Sequence, residues 1–246
     1  MPSKTDRGLQ SLQGRTVVIT GGGSGIGLAT AREVIAGGGR VVLAGRSADK
    51  LAQACRELGT AATALPLDVT DEHAVEEAFE KVGRIDHLVT AASGSLRGRQ
   101  TNLDTALARE LFESKFWGQH HCVKYAVPHI AREGSIVLFS GWVSRKPAIE
   151  MSTMAAVDGA IEALAGTLAL ELAPIRVNTI VPGQIDTPLW RNRLSESTAQ
   201  AYFAKVAQSH PVGRAGTAED VASAIVFLIR NGFMTGAVLD IDGGWR

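Results

Sequence analysis

Short apolar runs alternate along the chain with longer segments of helical periodicity. Seven of these runs have the length and composition of buried strands, at residues 16–20, 41–44, 64–67, 87–91, 135–139, 177–181 and 238–241. Parallel strands need crossover connections, which place helices on both faces of a sheet. The alternation therefore predicts an α/β fold in a single domain over residues 1–246, with a doubly wound parallel sheet of about seven strands and helices on both faces.

The charges of the chain cancel, since it has 25 basic and 25 acidic residues. No global field therefore draws it to nucleic acid or to an anionic membrane, and a small-molecule partner is expected. Cys55 and Cys122 have neither a redox spacing nor a metal-ligand spacing, so we expect reduced thiols and no metal. Residues 1–14 are polar, and we expect no later stretch to approach the roughly 20 apolar residues of a membrane span. These features favour a soluble, cytoplasmic protein.

A glycine-rich turn follows the first predicted strand directly, with the sequence Thr20-Gly21-Gly22-Gly23-Ser24-Gly25-Ile26-Gly27, and a helical pattern comes next. Glycines let the backbone turn tightly and approach a pyrophosphate, and the free N–H groups of a helix N-terminus favour the anion. We therefore predict dinucleotide binding at Gly21, Ser24, Gly25, Ile26 and Gly27. A tight strand-to-helix turn that binds nothing is the alternative.

In these residues the chain resembles the short-chain dehydrogenase/reductase family, whose hallmark is a T-G-x-x-x-G-x-G turn near the N-terminus. The resemblance extends over nearly the whole chain, through Asp68-Val69, Arg176-Val177-Asn178, Pro182-Gly183, Thr187-Pro188, Thr235-Gly236 and Asp242-Gly243-Gly244. It implies a Rossmann fold, a nicotinamide cofactor and an oxidoreductase that acts on a carbonyl or alcohol of a small molecule. It also implies a homodimer or homotetramer.

The resemblance further implies which residues contact the dinucleotide. Asp68 and Val69 should contact the adenine, whereas Ile185 and Thr187, which follow Pro182 and Gly183, should hold the nicotinamide end. The fourth strand ends in Thr90-Ala91-Ala92-Ser93 where the family has N-N-A-G, so two amide side chains are missing. We expect contacts at Ala91 and Ala92 to be made by backbone atoms or to be absent.

The end of the second strand indicates which dinucleotide is preferred. Gly45 stands where an acidic side chain would accept hydrogen bonds from the ribose hydroxyls of NAD. Arg46, which is followed by Ser47, offers a planar cation that suits the 2′-phosphate of NADP. We therefore predict NADP(H) in preference to NAD(H), with Ser47 also in contact. The alternative is that Arg46 is a solvated surface residue.

None of the four positions that carry catalysis in the family has its usual residue. The resemblance implies Y-x-x-x-K on the helix after the fifth strand, a serine at the end of that strand and an asparagine on the preceding helix. An alignment without gaps from residues 168–172 places Met154 at the tyrosine, Asp158 at the lysine, Gly141 at the serine and Lys115 at the asparagine. Residues 126–201 contain no tyrosine and residues 147–204 no lysine, so a register error does not restore the pair.

Three candidates remain for the missing chemistry. Ser140 could present a hydroxyl from a bulged strand end, and Tyr202 could supply one from residues 188–210, where the family has its substrate lid. Lys115 and Asp158 are expected to form a partly buried salt bridge below the nicotinamide site. The alternatives are local hydrogen bonds for Ser140, packing for Tyr202, and two solvated charges on separate helices.

Three functions stay open on the sequence. The first is an NADP(H)-dependent oxidoreductase with a non-standard catalytic site, and the resemblance supports it. The second is a non-catalytic NADP(H)-binding or sensor subunit that pairs with an active relative. The third is a lyase or isomerase reaction in the same pocket.

Overall fold

The computed structural model describes residues 9–92, 94–191 and 195–245, which form the predicted single-domain α/β fold. The strands are β1 (Thr16–Thr20), β2 (Arg40–Gly45), β3 (Ala62–Pro66), β4 (Ile85–Thr90), β5 (Ile130–Phe139), β6 (Arg176–Pro182), β7 (Ile185–Asp186), β8 (Gly216–Thr217) and β9 (Val238–Ile241). Seven of them form a parallel sheet in the order β3-β2-β1-β4-β5-β6-β9.

Helices cover both faces of this sheet. They are α1 (Gly25–Ala36), α2 (Ala48–Leu58), α3 (Glu72–Val82), α4 (Thr105–Phe112), α5 (Gly118–Ala126), α6 (Ser152–Glu171), α7 (Pro188–Arg191), α8 (Glu196–Ser209) and α9 (Ala218–Arg230). One apolar core joins the sheet to α1, α2 and α9, and a second joins it to α3, α5 and α6. A π-helical turn at Glu113–Trp117 connects α4 to α5.

The predicted strands match the observed ones to within two residues at most ends. The exception is β5, which begins five residues early at Ile130 and passes through the exposed, polar Arg132 and Glu133. The pair β7–β8 was not predicted, because two residues per strand are too few to show a period.

The order of the strands determines where a ligand can enter. The chain winds in one direction from β1 to β3 and in the other from β4 to β6, so the loops after β1 and β4 diverge. In doubly wound sheets, the crevice at the carboxyl ends of the strands at such a reversal binds ligands.

Helix α6 corrects one expectation from the sequence. With 20 residues and a mean hydropathy of 1.3, it is long and apolar enough to cross a membrane by length and composition alone, so the expectation that no stretch would approach this was wrong. In the structure α6 packs against β5, β6 and the turn at Trp142–Ser144, and it buries Val157 and Ile161. Only 33% of this apolar window is buried inside the structure, so packing in the core accounts for one face of the helix.

Candidate active site

A cavity of about 870 Å³ opens at the carboxyl edge of the sheet, where the strand order reverses. All the predicted dinucleotide contacts lie on its walls: Gly21, Ser24, Gly25, Ile26, Gly27, Arg46, Ser47, Asp68, Val69, Ala91, Ala92, Pro182, Gly183, Ile185 and Thr187. Lys115, Gly141, Met154 and Asp158 line it as well. The fold therefore brings both predicted groups of residues to one space.

The glycine-rich turn packs directly against the end of β4. Gly21 has a φ of +67°, and a Cβ built on it would lie 2.7 Å from the carbonyl oxygen of Ala91, so a side chain is excluded there. The backbone N–H of Ala92 donates to Thr20 Oγ1 at 3.1 Å. This contact joins the carboxyl ends of β1 and β4, and the start of α1, whose first N–H groups are without helical acceptors, lines the cavity beside it.

The end of β2 places positive charge at one end of the cavity. Gly45 leaves open space at the wall, and the exposed side chains of Arg46 and Lys50 line it. Arg46 has no ion-pair partner among the residues that the structure describes. Ser47 caps α2, because its hydroxyl accepts from the backbone N–H of Lys50 at 3.4 Å. Lys50 did not appear among the predicted contacts, since it lies beyond the strand end that the pattern marks.

Asp68 and Thr187 lie on walls that are built by different strands. One carboxylate oxygen of Asp68, after β3, accepts from the backbone N–H of Thr70 at 3.0 Å and from its hydroxyl at 2.9 Å. Thr187, after β7, is buried and faces the glycine-rich turn. A Cβ built on Gly25 of that turn would lie 3.7 Å from the Cβ of Thr187. The two predicted ends of the binding site are thus built by separate segments of the chain.

An amide that the sequence interpretation missed connects β4, β5 and the π-helical turn. Gln119 on α5 is buried, and its Oε1 accepts from the Thr90 hydroxyl at 2.5 Å and from the Phe139 backbone N–H at 2.8 Å. Its Nε2 donates to the carbonyls of Lys115 and Phe139 at 2.8 and 2.9 Å. An amide therefore lies beside Thr90 although the strand itself has none, while Ser93 lies outside the described residues.

The predicted ion pair between Lys115 and Asp158 is confirmed, and it is more deeply buried than expected. Lys115 projects from the π-helical turn and donates from Nζ to Oδ1 of Asp158, and the two side chains are 3% and 0% exposed. Burial raises the pKa of the Asp158 carboxyl above its ordinary value, against the opposing attraction of the Lys115 ammonium. The second oxygen, Oδ2, is buried and has no hydrogen-bond partner among the described residues.

Gly141 is the residue that makes room for this carboxylate. A Cβ built on Gly141 would lie 2.5 Å from Asp158 Oδ2 and 3.2 Å from its Cγ. Any side chain at position 141, serine included, would collide with Asp158 where it stands. The residues at positions 115, 141 and 158 are therefore parts of one arrangement.

The hydroxyl of Ser140 is directed elsewhere, although the residue lines the cavity. It donates to Glu162 Oε1 at 2.7 Å and lies 3.1 Å from the carbonyl oxygen of Asp158. Ser144 donates to the same Glu162 oxygen at 2.6 Å, and Arg145 donates to the other at 3.1 Å. The Ser140 hydroxyl is therefore engaged by residues 18 and 22 positions further along the chain, and not by the local hydrogen bonds that were expected as the alternative.

Tyr202 is not among the described residues that line the cavity. It lies on α8, where its ring contacts that of Phe203 with centroids 5.2 Å apart, and burial raises the pKa of its phenol. The predicted excursion at 188–210 contains α7 and α8, and its residues 192–194 lie outside the described residues.

Apolar and aromatic side chains line the cavity beside the ion pair. Phe139, Trp142, Val143, Met151 and Met154 contribute to this wall. Trp142 meets Trp245 edge to face with ring centroids 4.7 Å apart, and Trp245 stacks on His210 at 5.4 Å. A wall of this kind suits an apolar ring or chain beside one buried carboxylate.

Comparison with known proteins agrees with the geometry. A family model described as enoyl-(acyl carrier protein) reductase matches residues 21–246. The chain is 34% identical over 244 residues to cis-4-hydroxycyclohexanecarboxylate dehydrogenase of Sinomonas cyclohexanicum. The matched region covers 94% of this chain and 96% of that relative. The chain is 32% identical over 241 residues to L-fucose dehydrogenase of Mus musculus, with 94% and 88% covered.

A solved structure has the same architecture. It is a small-chain dehydrogenase in complex with NADPH, which is 35% identical and superposes with a TM-score of 0.83 over 94% of this chain and 98% of that one. The likeness extends over almost all of both chains.

Proposed function

This chain belongs to the short-chain dehydrogenase/reductase family, and we propose that it is an NADP(H)-dependent oxidoreductase with a non-standard catalytic site. Its substrate in this proposal is a small molecule with an alcohol or carbonyl group. The observation that carries the proposal is the continuous cavity, which runs from the Arg46 and Lys50 cations to the Lys115–Asp158 pair. Members of the family bind a nicotinamide cofactor, which supplies or takes up hydride.

The residues around the cavity fit a dinucleotide. The turn at Gly21 has no room for a side chain of its own, and the N-terminus of α1 offers N–H groups to a pyrophosphate. Arg46 and Lys50 stand beyond Gly45, where the 2′-phosphate of NADP would be neutralised. The solved relative in complex with NADPH supports the same choice of cofactor.

The apolar wall favours a substrate with a hydrophobic ring or chain. Trp142, Met151 and Met154 present such a surface near Asp158. One relative is named for the oxidation of a hydroxycyclohexane carboxylate and another for that of a sugar, L-fucose. We therefore propose a secondary alcohol on a ring, or the matching ketone, as the substrate class.

Binding and turnover test this proposal separately. We expect NADPH to bind more tightly than NADH in calorimetry, and Arg46→Gln to weaken NADPH roughly 10- to 100-fold, because a hydrogen bond to a charged group is worth about 1.5–3 kcal/mol. NADH affinity should change little. Arg40→Gln is the matched control, since Arg40 is exposed at the opposite end of β2. Tighter NADH binding, or an equal effect of Arg46→Gln on both cofactors, would refute the preference.

Turnover is measured as NADP⁺ reduction with hydroxycyclohexane carboxylates and sugars, and as NADPH oxidation with cyclic ketones.

One observation favours the second candidate function, a non-catalytic NADP(H)-binding subunit. The ungapped register from residues 168–172 places Met154 at the position of the family's tyrosine, and a thioether transfers no proton. Tight NADPH binding without turnover across the whole panel would favour that reading.

A further inference from the structure

The two oxygens of the Asp158 carboxylate have different surroundings. Oδ1 accepts from Lys115 Nζ, whereas Oδ2 is buried and has no partner among the described residues. A buried acceptor that is left unpaired costs about 1–3 kcal/mol, and more when it is charged. A ligand hydroxyl in the adjoining cavity would remove this cost.

The other polar groups near Asp158 are already engaged. The hydroxyls of Ser140 and Ser144 donate to Glu162, and Arg145 pairs with the same carboxylate. Lys146 pairs with Asp242 at 2.7 Å. Among the described residues, four buried side-chain atoms have no hydrogen-bond partner, and Asp158 Oδ2 is the one whose residue lines the cavity; His120, Thr179 and His210 do not line it.

We propose that Asp158 is the proton acceptor in alcohol oxidation and the proton donor in the reverse reaction, with Lys115 stabilising its charged form. This inference rests on the proposed oxidoreductase function. In oxidation, the substrate O–H bond breaks and its proton moves to Oδ2. The hydrogen on the carbinol carbon leaves with its electron pair as hydride to NADP⁺, and the C=O bond forms. The products are the carbonyl compound, NADPH and a protonated Asp158, which then releases its proton to solvent.

In the unliganded protein Oδ2 is shielded from solvent and occupies the space that a Cβ on Gly141 would take, so a ligand reaches it only after a neighbouring side chain moves. Met154 lies four residues before Asp158 on the same face of α6 and lines the same wall. Its side chain is unbranched and has three rotatable bonds, so a ligand can move it without shifting the backbone.

The surrounding charges act on the protonation of Asp158 in opposite directions. Burial and the neighbouring carboxylate of Glu162 favour the protonated form, and Lys115 favours the carboxylate. Arg145 pairs with Glu162 and reduces its effect. Oxidation needs the carboxylate, so activity should fall as the pH falls through the pKa of Asp158. Removing Lys115 should raise that pKa and move the fall to higher pH.

The first test uses Asp158→Asn, which keeps the shape and removes the basic oxygen. We expect kcat to fall roughly 10²- to 10⁴-fold while the NADPH dissociation constant changes less than about threefold, and the acidic limb of the pH profile to disappear. Lys115→Met should keep that limb and move it to higher pH. Glu171→Gln, an exposed carboxylate at the end of the same helix, is the matched control and should leave both quantities unchanged.

Asp158→Asn leaves Lys115 buried beside a neutral group, and an uncompensated buried charge destabilises the fold. The double variant Lys115→Gln/Asp158→Asn has no buried charge at this site and should fold, bind NADPH and lack turnover. If the wild-type enzyme turns over its substrate and the Asp158→Asn variant keeps the same kcat, the inference is wrong and the proposed function stands. If the wild type does not bind NADPH, the proposed function fails instead.

An infrared titration tests the same group without any substrate. We expect a C=O stretch of a buried carboxylic acid to appear as the pH of the unliganded protein is lowered. The band should be absent in Asp158→Asn and should titrate at higher pH in Lys115→Met. A wild-type spectrum that Asp158→Asn leaves unchanged would overturn the inference.

Discussion

Replacing Gly141 with alanine tests the packing at the centre of the candidate site. A Cβ on residue 141 would lie 2.5 Å from Oδ2 and 3.2 Å from Cγ of Asp158, whereas non-bonded heavy atoms attract best at about 3.5–4.0 Å. The carboxylate cannot simply retreat, because Lys115 holds its other oxygen and both side chains are buried. The added methyl group must therefore displace a buried ion pair.

Two outcomes bracket the cost of this change. If the carboxylate rotates and keeps its contact with Lys115, overpacking costs about 1–3 kcal/mol. If the ion pair separates, the cost is about 3–5 kcal/mol, because each charge is then buried without a partner. For a domain of this size, the first outcome corresponds to a Tm lower by roughly 2–12 °C.

Urea unfolding followed by circular dichroism measures the cost, and a double-mutant cycle assigns it. In the background Lys115→Met/Asp158→Ala, the carboxylate and its partner are gone, so Gly141→Ala should change the free energy of unfolding by less than about 0.5 kcal/mol. The difference between the two backgrounds is the energy of the steric contact with the pair.

A matched control places a methyl group on the same helix as Asp158. Gly166 has nothing within 4 Å of a built Cβ, so Gly166→Ala should be neutral or stabilising by up to about 1 kcal/mol. Gly166 is exposed, so a change in the sedimentation of this variant relative to the wild type would show that this face of α6 is covered in an oligomer. Equal costs of Gly141→Ala in both backgrounds, or no cost in the wild type, would refute the packing argument.

Two further predictions concern His87 and Tyr202. Burial lowers the pKa of His87 to about 4, and its ring lies 2.9 Å from the Ser135 hydroxyl. Between about pH 6.5 and 4, the unfolded chain therefore binds more protons than the folded one. The free energy of unfolding should fall by up to about 3 kcal/mol as the pH is lowered through that range. Urea unfolding as a function of pH measures this, and a slope that His87→Gln leaves unchanged would contradict the assignment. Tyr202→Phe should leave kcat within about threefold of wild type, because the phenol does not reach the described cavity wall; a loss of roughly 10²-fold or more in steady-state assays would restore Tyr202 as a proton donor.

The sheet and the glycine-rich turn were predictable because their signals are local. Buried parallel strands are continuous apolar runs, and Val17, Val18 and Ile19 of β1 are fully buried as that pattern predicts. The turn at Gly21 needs a positive φ and close approach of the backbone, which glycine alone supplies without strain. The start of β5 was misplaced because Arg132 and Glu133 interrupt the apolar pattern while the backbone stays extended.

The parts of the site that were missed depend on contacts between distant segments. The direction of the Ser140 hydroxyl is decided by Glu162, which lies 22 residues further along the chain. Gln119 brings an amide to Thr90 from a neighbouring helix, so the sequence around Thr90 holds no sign of it. The pairing of Lys115 with Asp158 was predictable only because the family register placed both positions together, and its depth of burial was not.

The arrangement of Lys115, Gly141 and Asp158 is hard to explain by stability alone. A lysine buried at position 115 without an anion, or an aspartate at 158 without a cation, would be an uncompensated buried charge, and a side chain at 141 would collide with that aspartate. Packed apolar residues often replace a buried ion pair with no loss of stability. A cavity wall that needed only to be filled would therefore have no use for two charges, nor for a carboxylate oxygen left without a partner. A group that must gain and lose a proton beside a ligand needs both a low-dielectric site and a fixed countercharge, and these three residues provide them together.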